Sequence, residues 1–142
     1  MGLILLDIDS FGKYNNTHGH PKGDELLKEI SKLIKENVRE EDVVGRYGGE
    51  EFIVMMKKVK PHDALEIAER IKKAVSEYSF YGRETQPNGK VTISAGLAIT
   101  RANISMKELI KEVDDALYKA KNSGKNKVVQ KIILGHGLKA EV

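Results

Sequence analysis

The sequence predicts an α+β domain in which helices flank a central sheet, mainly on one of its faces. Three observations carry this. Residues 2–8 form a short apolar run without alternation that ends in acids, as a buried strand does. Three longer segments repeat their apolar residues at helical spacing. A glycine-broken apolar pair and one alternating segment add a hairpin and a further strand. The order is strand, helices, hairpin, helix, strand, helix, strand.

After the first strand, the polar stretch from Ser10 to Pro21 contains Gly12, Asn15, Asn16, Gly19 and His20, and reads as a short helix or loop. Pro21 suits the first turn of a helix, and Leu26, Leu27, Ile30, Leu33, Ile34 and Val38 predict that helix over 22–38. Val43-Val44 and Phe52 to Met56 pair as a hairpin with Gly48, Gly49 and Glu50 at its tip. Pro61 opens a second amphipathic helix through Ala64, Leu65, Ala68, Ile71, Ala74, Val75 and Tyr78. Residues 79–90, with Gly82, Pro87, Asn88 and Gly89, form an excursion containing a turn. Residues 91–99 alternate as a strand. Ser105 and Glu108 make a capping box for a helix whose core face is Leu109, Ile110, Val113, Ala116, Leu117 and Ala120, with Gly124 as its stop. Val128, Val129, Ile132 and Ile133 supply a last strand. The domain is placed at 1–134, and residues 135–142 read as a tail without pattern.

At 142 residues the chain fits one domain with a substantial core. The formal charge of +3 comes from lysines interleaved with glutamates, a solvated surface rather than a nucleic-acid footprint, so no nucleic-acid partner is expected. The absence of cysteine removes disulfides and thiolate metal sites and is compatible with a cytoplasmic location. No apolar run approaches the roughly 20 residues of a membrane span, and the first run is too short for a signal peptide, so no membrane contact is expected of this domain. Abundant Lys, Glu and Ile without Cys hints at a thermophilic source.

The segment Arg46-Tyr47-Gly48-Gly49-Glu50-Glu51-Phe52-Ile53-Val54 sets two adjacent carboxylates behind a glycine pair. Glycine permits a close turn and lets a bulky ligand approach the backbone. One carboxylate can then face a cation while the other points away. Asp7-Ile8-Asp9 ends the first strand, and period two puts Asp7 and Asp9 on one face and Ile8 on the other. Acids at two strand ends suit a hard divalent ion with phosphate ligands.

Taken together, these residues resemble the GGDEF family, the diguanylate cyclase domain of bacterial signalling proteins. The signature is Gly48-Gly49-Glu50-Glu51-Phe52. The likeness extends through Asp7-Ile8-Asp9-Ser10-Phe11, Asn15-Asn16-Thr17-His18-Gly19-His20-Pro21, Gly23-Asp24 and Val91 to Gly96, and on to Asp115 through Lys121 and Gly124 to Lys127. The resemblance implies a palm-like, ferredoxin-related fold with a mostly antiparallel sheet. It implies condensation of two GTP into cyclic di-GMP with release of two pyrophosphates, across a homodimer in which each subunit holds one GTP. It also implies a sensory domain outside this chain.

Carried over by position, Asp7 and Glu50 would ligate Mg²⁺ or Mn²⁺ with the Ile8 carbonyl, and Glu51 would be an essential acid. Asn15 and Asp24 would bond the guanine edge; a carboxylate accepts from N1–H and the amine, and adenine lacks a donor at N1. Lys121 and Lys125 would bind the triphosphate. Arg39 and Asp42 match an RxxD site that binds the cyclic di-GMP product. Departures are Gly12 where a phosphate-facing lysine is common, with Lys13 adjacent, and His18 in place of an aromatic. The family's preceding helical segment, with its DxLTGLxNR signature, is not seen before the first strand.

Other roles stand beside these. Asp9 suits either a supporting acid or a helix cap. Glu51 fits an exposed strand residue, Asn15 a turn cap, and Asp24 the acidic start of a helix. Lys121 and Lys125 fit a helix C-terminus, and Arg39 with Asp42 a surface pair. His18 and His20 invite a zinc reading but lack a nearby third ligand, and His136 reads as surface. The rivals to a diguanylate cyclase are an inactive module binding GTP or cyclic di-GMP, a cyclase using ATP or mixed nucleotides, and a structural partner domain.

Overall fold

The computed structural model describes residues 1–134 and the backbone of 138–141. Among the described residues the strands and α-helices follow in the order β1 (Gly2–Ile8), α1 (Phe11–His18), α2 (His20–Glu36), β2 (Val43–Arg46), β3 (Glu51–Met56), α3 (Pro61–Glu77), β4 (Ile93–Thr100), α4 (Met106–Asn122), β5 (Val128–Leu134) and β6 (Leu138–Glu141), with two short 3-10 turns between α3 and β4. The strands form one sheet in the order β2-β3-β1-β4-β5-β6. All pairings are antiparallel except β4 with β5. The crossover between those two is α4, as a parallel pair requires.

β1 lies inside the sheet, and all seven of its residues are buried. That explains why it shows no apolar–polar alternation. Its faces still differ. Ile4, Leu6 and Ile8 pack with α1, α2 and α3, whereas Leu3 and Leu5 pack with Leu109, Val113 and Leu117 of α4. Three helices, two of them long, therefore cover one face and α4 alone the other, as the patterning predicts. Asp7 shares the α4 face with Leu3 and Leu5.

α4 sits unusually close to β4. A Cβ on Gly96 would lie 2.4 Å from the Val113 carbonyl oxygen and 2.5 Å from the Leu117 amide nitrogen. Only glycine admits backbone at that distance. The N-terminus of α4 is capped as predicted, with the Glu108 amide donating to Ser105 Oγ at 3.1 Å.

Several boundaries move. The polar stretch after β1 is a helix, and α2 begins at His20, where Gly19 with φ 87° separates it from α1. α2 ends at Glu36 rather than Val38, because Asn37 turns back and donates through Nδ2 to the Leu33 carbonyl at 2.7 Å. β4 starts at Ile93; Thr92 is diverted to Asp9, which it binds through both its carbonyl and its hydroxyl. The supposed tail contains β6, whose Leu138–Glu141 pairs with Lys131–Leu134 of β5. Four residues are too few for a legible period. His136 lies outside the described residues.

Two glycines should respond in opposite ways to alanine. Gly96→Ala is expected to destabilise the chain by about 2–3 kcal/mol, since backbone cannot yield as a side chain can. Gly12 is exposed on α1, with nothing within 4 Å of its would-be Cβ. Gly12→Ala should stabilise by about 0.5–1 kcal/mol. Denaturant midpoints of the two variants, read against the unaltered chain, check both signs.

Candidate active site

The site begins as a consequence of register. In the β1–β3 ladder Asp7 stands opposite Glu51, and in the β1–β4 ladder it stands opposite Ser94. The hairpin is closed by the Tyr47 and Gly48 amides, which donate to the Glu51 carbonyl at 2.8 and 3.3 Å. Arg46 Nη2 donates to the Gly49 carbonyl at 2.5 Å. The Ile8 amide donates to the Glu50 carbonyl at 3.3 Å, which ties the hairpin tip to the end of β1. Glu50 and Glu51 therefore both approach Asp7; neither turns away from the site.

One cation meets these acids. Lys121, near the end of α4, places Nζ 2.9 Å from Asp7 Oδ1. That oxygen is buried and has no well-aligned hydrogen bond, so the contact is an ion pair rather than a directed bond. Burial raises the Asp7 carboxyl above the ordinary carboxylate range against the opposing pull of Lys121. Burial also raises Glu50, and the neighbouring Asp7 charge adds to the rise. Glu51 is raised by burial, then by Asp7 and Asp114, with Lys121 opposing. Three carboxyls thus resist ionising together, and one lysine does not satisfy them.

Such a set invites a divalent cation. Among the described residues no three acidic or imidazole side chains close into a ready-made cage. Mg²⁺ does not need one, because it commonly takes one or two carboxylates and completes its shell with water and phosphate. Asp7 and Glu50, with their unmet negative charge, fit that requirement.

Asp9, two residues on, does different work. It is buried, and it accepts from Thr92 Oγ1 at 2.8 Å, Ser94 Oγ at 2.6 Å and the Asn126 amide at 3.1 Å. It caps no helix. It fastens the end of β1 to β4 and to the turn after α4.

Asn15 and Asp24 stand on neighbouring helices. A Cβ at Gly23 would fall 1.7 Å from Asn15 Oδ1, so glycine there makes room for the amide against α2. Asn15 Oδ1 is buried without a hydrogen-bond partner. Asp24 is exposed and borders a cavity of about 560 Å³ between α2 and the β2–β3 hairpin, together with Leu27, Lys28, Arg46 and Phe52. Lys13 is exposed on α1. Lys125 is not one helical turn beyond Lys121 on a shared face. α4 ends at Asn122, and Lys125 follows in a left-handed conformation, φ 61°, lining a separate cavity with Asp9 and Ser10.

Arg39 and Asp42 are brought together. Arg39 Nη2 donates to Asp42 Oδ1 at 2.7 Å, Nε to Oδ1 at 3.1 Å, and the Arg39 amide to Oδ2 at 2.9 Å. Nη1 donates to the Lys58 carbonyl at 2.8 Å. The Asp42 side chain is fully buried. The pair staples the α2–β2 turn, and Arg70 of α3 joins it by donating to the Asn37 carbonyl at 2.6 Å. His18 is engaged by its neighbours. Its Nε2 lies 2.9 Å from Thr85 Oγ1, and its ring packs between Tyr14 and Tyr81. It serves as one more aromatic in that cluster.

Sequence reasoning missed Asp114. It lies seven residues before Lys121 on α4, two turns along the same face, and its charge reaches Glu51. That spacing was the available signal.

A family model described as "Diguanylate cyclase, GGDEF domain" matches residues 1–127. Diguanylate cyclase A of Treponema denticola is 40% identical over 129 residues, which is 90% of this chain and 34% of that protein. The chain thus spans about a third of that relative's length. The active GGEEF domain of a diguanylate cyclase from Vibrio cholerae superposes with a TM-score of 0.82 at 32% identity, covering 91% of this chain and 81% of that one. The GGDEF domain of DgcB from Caulobacter crescentus, solved in complex with c-di-GMP, gives a TM-score of 0.81 at 30% identity, covering 91% and 76%.

The raised carboxyls fix a pH dependence. Between their ordinary and raised values the folded chain holds more protons than the unfolded one. Their contribution to stability is therefore present below the ordinary carboxylate range and lost as pH rises through the raised values. Glu50→Gln should stabilise the metal-free chain at neutral pH by about 0.5 kcal/mol after solvent screening, roughly 1–2 °C in Tm. The same change should remove most of the Tm gain produced by Mg²⁺ or Mn²⁺. Calorimetry from pH 4 to 8, with and without the ion, reads both effects.

Proposed function

The chain belongs to the GGDEF family of diguanylate cyclase domains, and we propose that it condenses two GTP into cyclic di-GMP and two pyrophosphates. The observation that carries this reading is the convergence of Asp7, Glu50 and Glu51 on Lys121 at the end of β1. Asn15 and Asp24 stand nearby on α1 and α2. A metal-and-phosphate end and a base-recognition end are thus carried by adjoining elements.

Asp7 and Glu50 would hold Mg²⁺ or Mn²⁺, aided by the Ile8 carbonyl; such an ion neutralises charge on phosphate oxygens. Lys121 is held beside Asp7, so its ammonium is already aimed where triphosphate oxygens would gather. Asn15 presents an unmatched acceptor to the guanine amine, and Asp24 accepts from N1–H. In each half-reaction a 3′-oxygen bonds to the α-phosphorus of the other nucleotide, and the bond from that phosphorus to pyrophosphate breaks. The hydroxyl proton passes to Glu51, whose raised pKa suits it to accept a proton. Each domain presents one such site, so two copies face each other in a homodimer, and orientation supplies much of the rate. GTP as the substrate supports a cytoplasmic location. Among the described residues no helix is long and apolar enough to cross a membrane. Arg39 and Asp42 bind the cyclic product away from the acids.

One observation favours a second reading, an inactive domain that retains nucleotide binding. Position 12, at the start of α1, carries glycine and so no cation toward the phosphates.

Incubation with GTP, ATP or both, plus Mg²⁺ or Mn²⁺, separates the readings by product. Cyclic di-GMP from GTP alone is expected, at a rate rising faster than linearly with protein concentration. An adenine-containing product would overturn the assignment, and binding without turnover would favour the inactive module. Asp7→Asn and Glu50→Gln should each lower turnover by at least about a thousandfold while far-UV circular dichroism stays unchanged. Arg39→Ala should relieve inhibition by added cyclic di-GMP and cost about 2 kcal/mol of stability by orphaning Asp42.

A further inference from the structure

A second cavity, of about 350 Å³, opens beside the acid cluster; Asp9, Ser10, Asn88, Lys90, Thr92 and Lys125 are among its lining residues. Its walls come from three separate places: the end of β1, the turn that precedes β4, and the turn after α4. Lys90 and Lys125 enter from different turns, and neither has an ion-pair partner among the described residues. The one acid in the wall forms an ion pair with neither. Asp9 is committed to Thr92, Ser94 and the Asn126 amide.

The backbone around this cavity is also unusual. Four non-glycine residues among those described adopt left-handed φ: Ser10 at 56°, Asn88 at 58°, Lys125 at 61° and Asn126 at 48°. All four line this cavity. Such conformations persist where the surroundings over-determine them, and they gather at ligand clamps. The cavity adjoins the acid cluster along two connections. Asp9 follows Asp7 by two residues, and Lys125 follows Lys121, the partner of Asp7, by four.

We infer that Lys90, from the turn before β4, is a further phosphate-binding residue, facing across this cavity the terminal phosphates that Lys125 would meet from the turn after α4. Lys90 belongs to none of the sequence motifs. It supplies a cation that position 12 of α1, a glycine, lacks. Asp9 acts as a positioning residue, holding the 124–127 turn so that Lys125 faces the same space. The inference rests on the reading of Asp7 and Glu50 as the nucleotide site.

The test uses the whole chain, Lys90→Met, and Lys107→Met at the far end of α4 as a charge control. Inorganic tripolyphosphate should raise the Tm of the unaltered chain and of Lys107→Met, but not of Lys90→Met. Lys90→Met should also weaken a non-hydrolysable GTP analogue about tenfold, the scale of one charge-assisted bond, while GMP affinity stays unchanged. A Lys90→Met protein that responds to tripolyphosphate and the GTP analogue like the unaltered chain overturns the inference and leaves the cyclase reading standing. So does an unaltered chain that binds the analogue but ignores tripolyphosphate. A chain that takes tripolyphosphate through Lys90 yet binds no guanine nucleotide supports the phosphate subsite and removes the cyclase reading instead.

Discussion

The carboxylate of Asp7 cannot leave the acids that face it, because β1 is hydrogen-bonded along both edges and buried on both faces. Glu51 lies opposite in the same ladder, and Glu50 is tied to Ile8 through the backbone. Like charges are thereby held together by sheet bonds that do not depend on them. The cost falls on the carboxyls, which are pushed above their usual range. A divalent ion would find this arrangement already made. A site that needs no rearrangement at the moment of reaction is the more effective for it.

The cation that pairs with Asp7 depends on a different contact. Lys121 reaches Asp7 only because α4 lies directly on the β4 backbone at Gly96. A larger residue there would lift the helix and carry the lysine away. Packing on one face of the sheet therefore sets the electrostatics at its end. Asp9 performs a similar service on the neighbouring side, where its bonds join β1, β4 and the turn after α4. Two aspartates with one residue between them thus divide the labour, the first carrying charge to the end of β1 and the second fastening the turns beside it.

The Arg39–Asp42 pair has a structural role in this fold, whatever else it binds. Its bonds to Asp42 and Lys58 make it a staple for the α2–β2 turn. The same fork geometry that grips a carboxylate suits a phosphodiester. Asn15 has the opposite character: its Oδ1 is buried against Gly23 and meets no hydrogen-bond donor among the described residues.

The strands, the long helices, the capping box at Ser105 and the acids at β1 and the hairpin were all legible in the chain itself. Each rests on local chemistry: apolar periodicity, a capping hydroxyl, glycines before carboxylates. What local chemistry does not encode is distance between segments. Lys121 and Lys125 look equivalent in sequence, yet the helix stops between them and sends Lys125 to another cavity. Asp9, Asp114 and Lys90 take their meaning from neighbours dozens of residues away, and β6 is a strand only because β5 offers it an edge. The order of residues decided which groups this protein would have; the pairing of β1 with β3 and β4, and the seat of α4 on Gly96, decided which of them would meet.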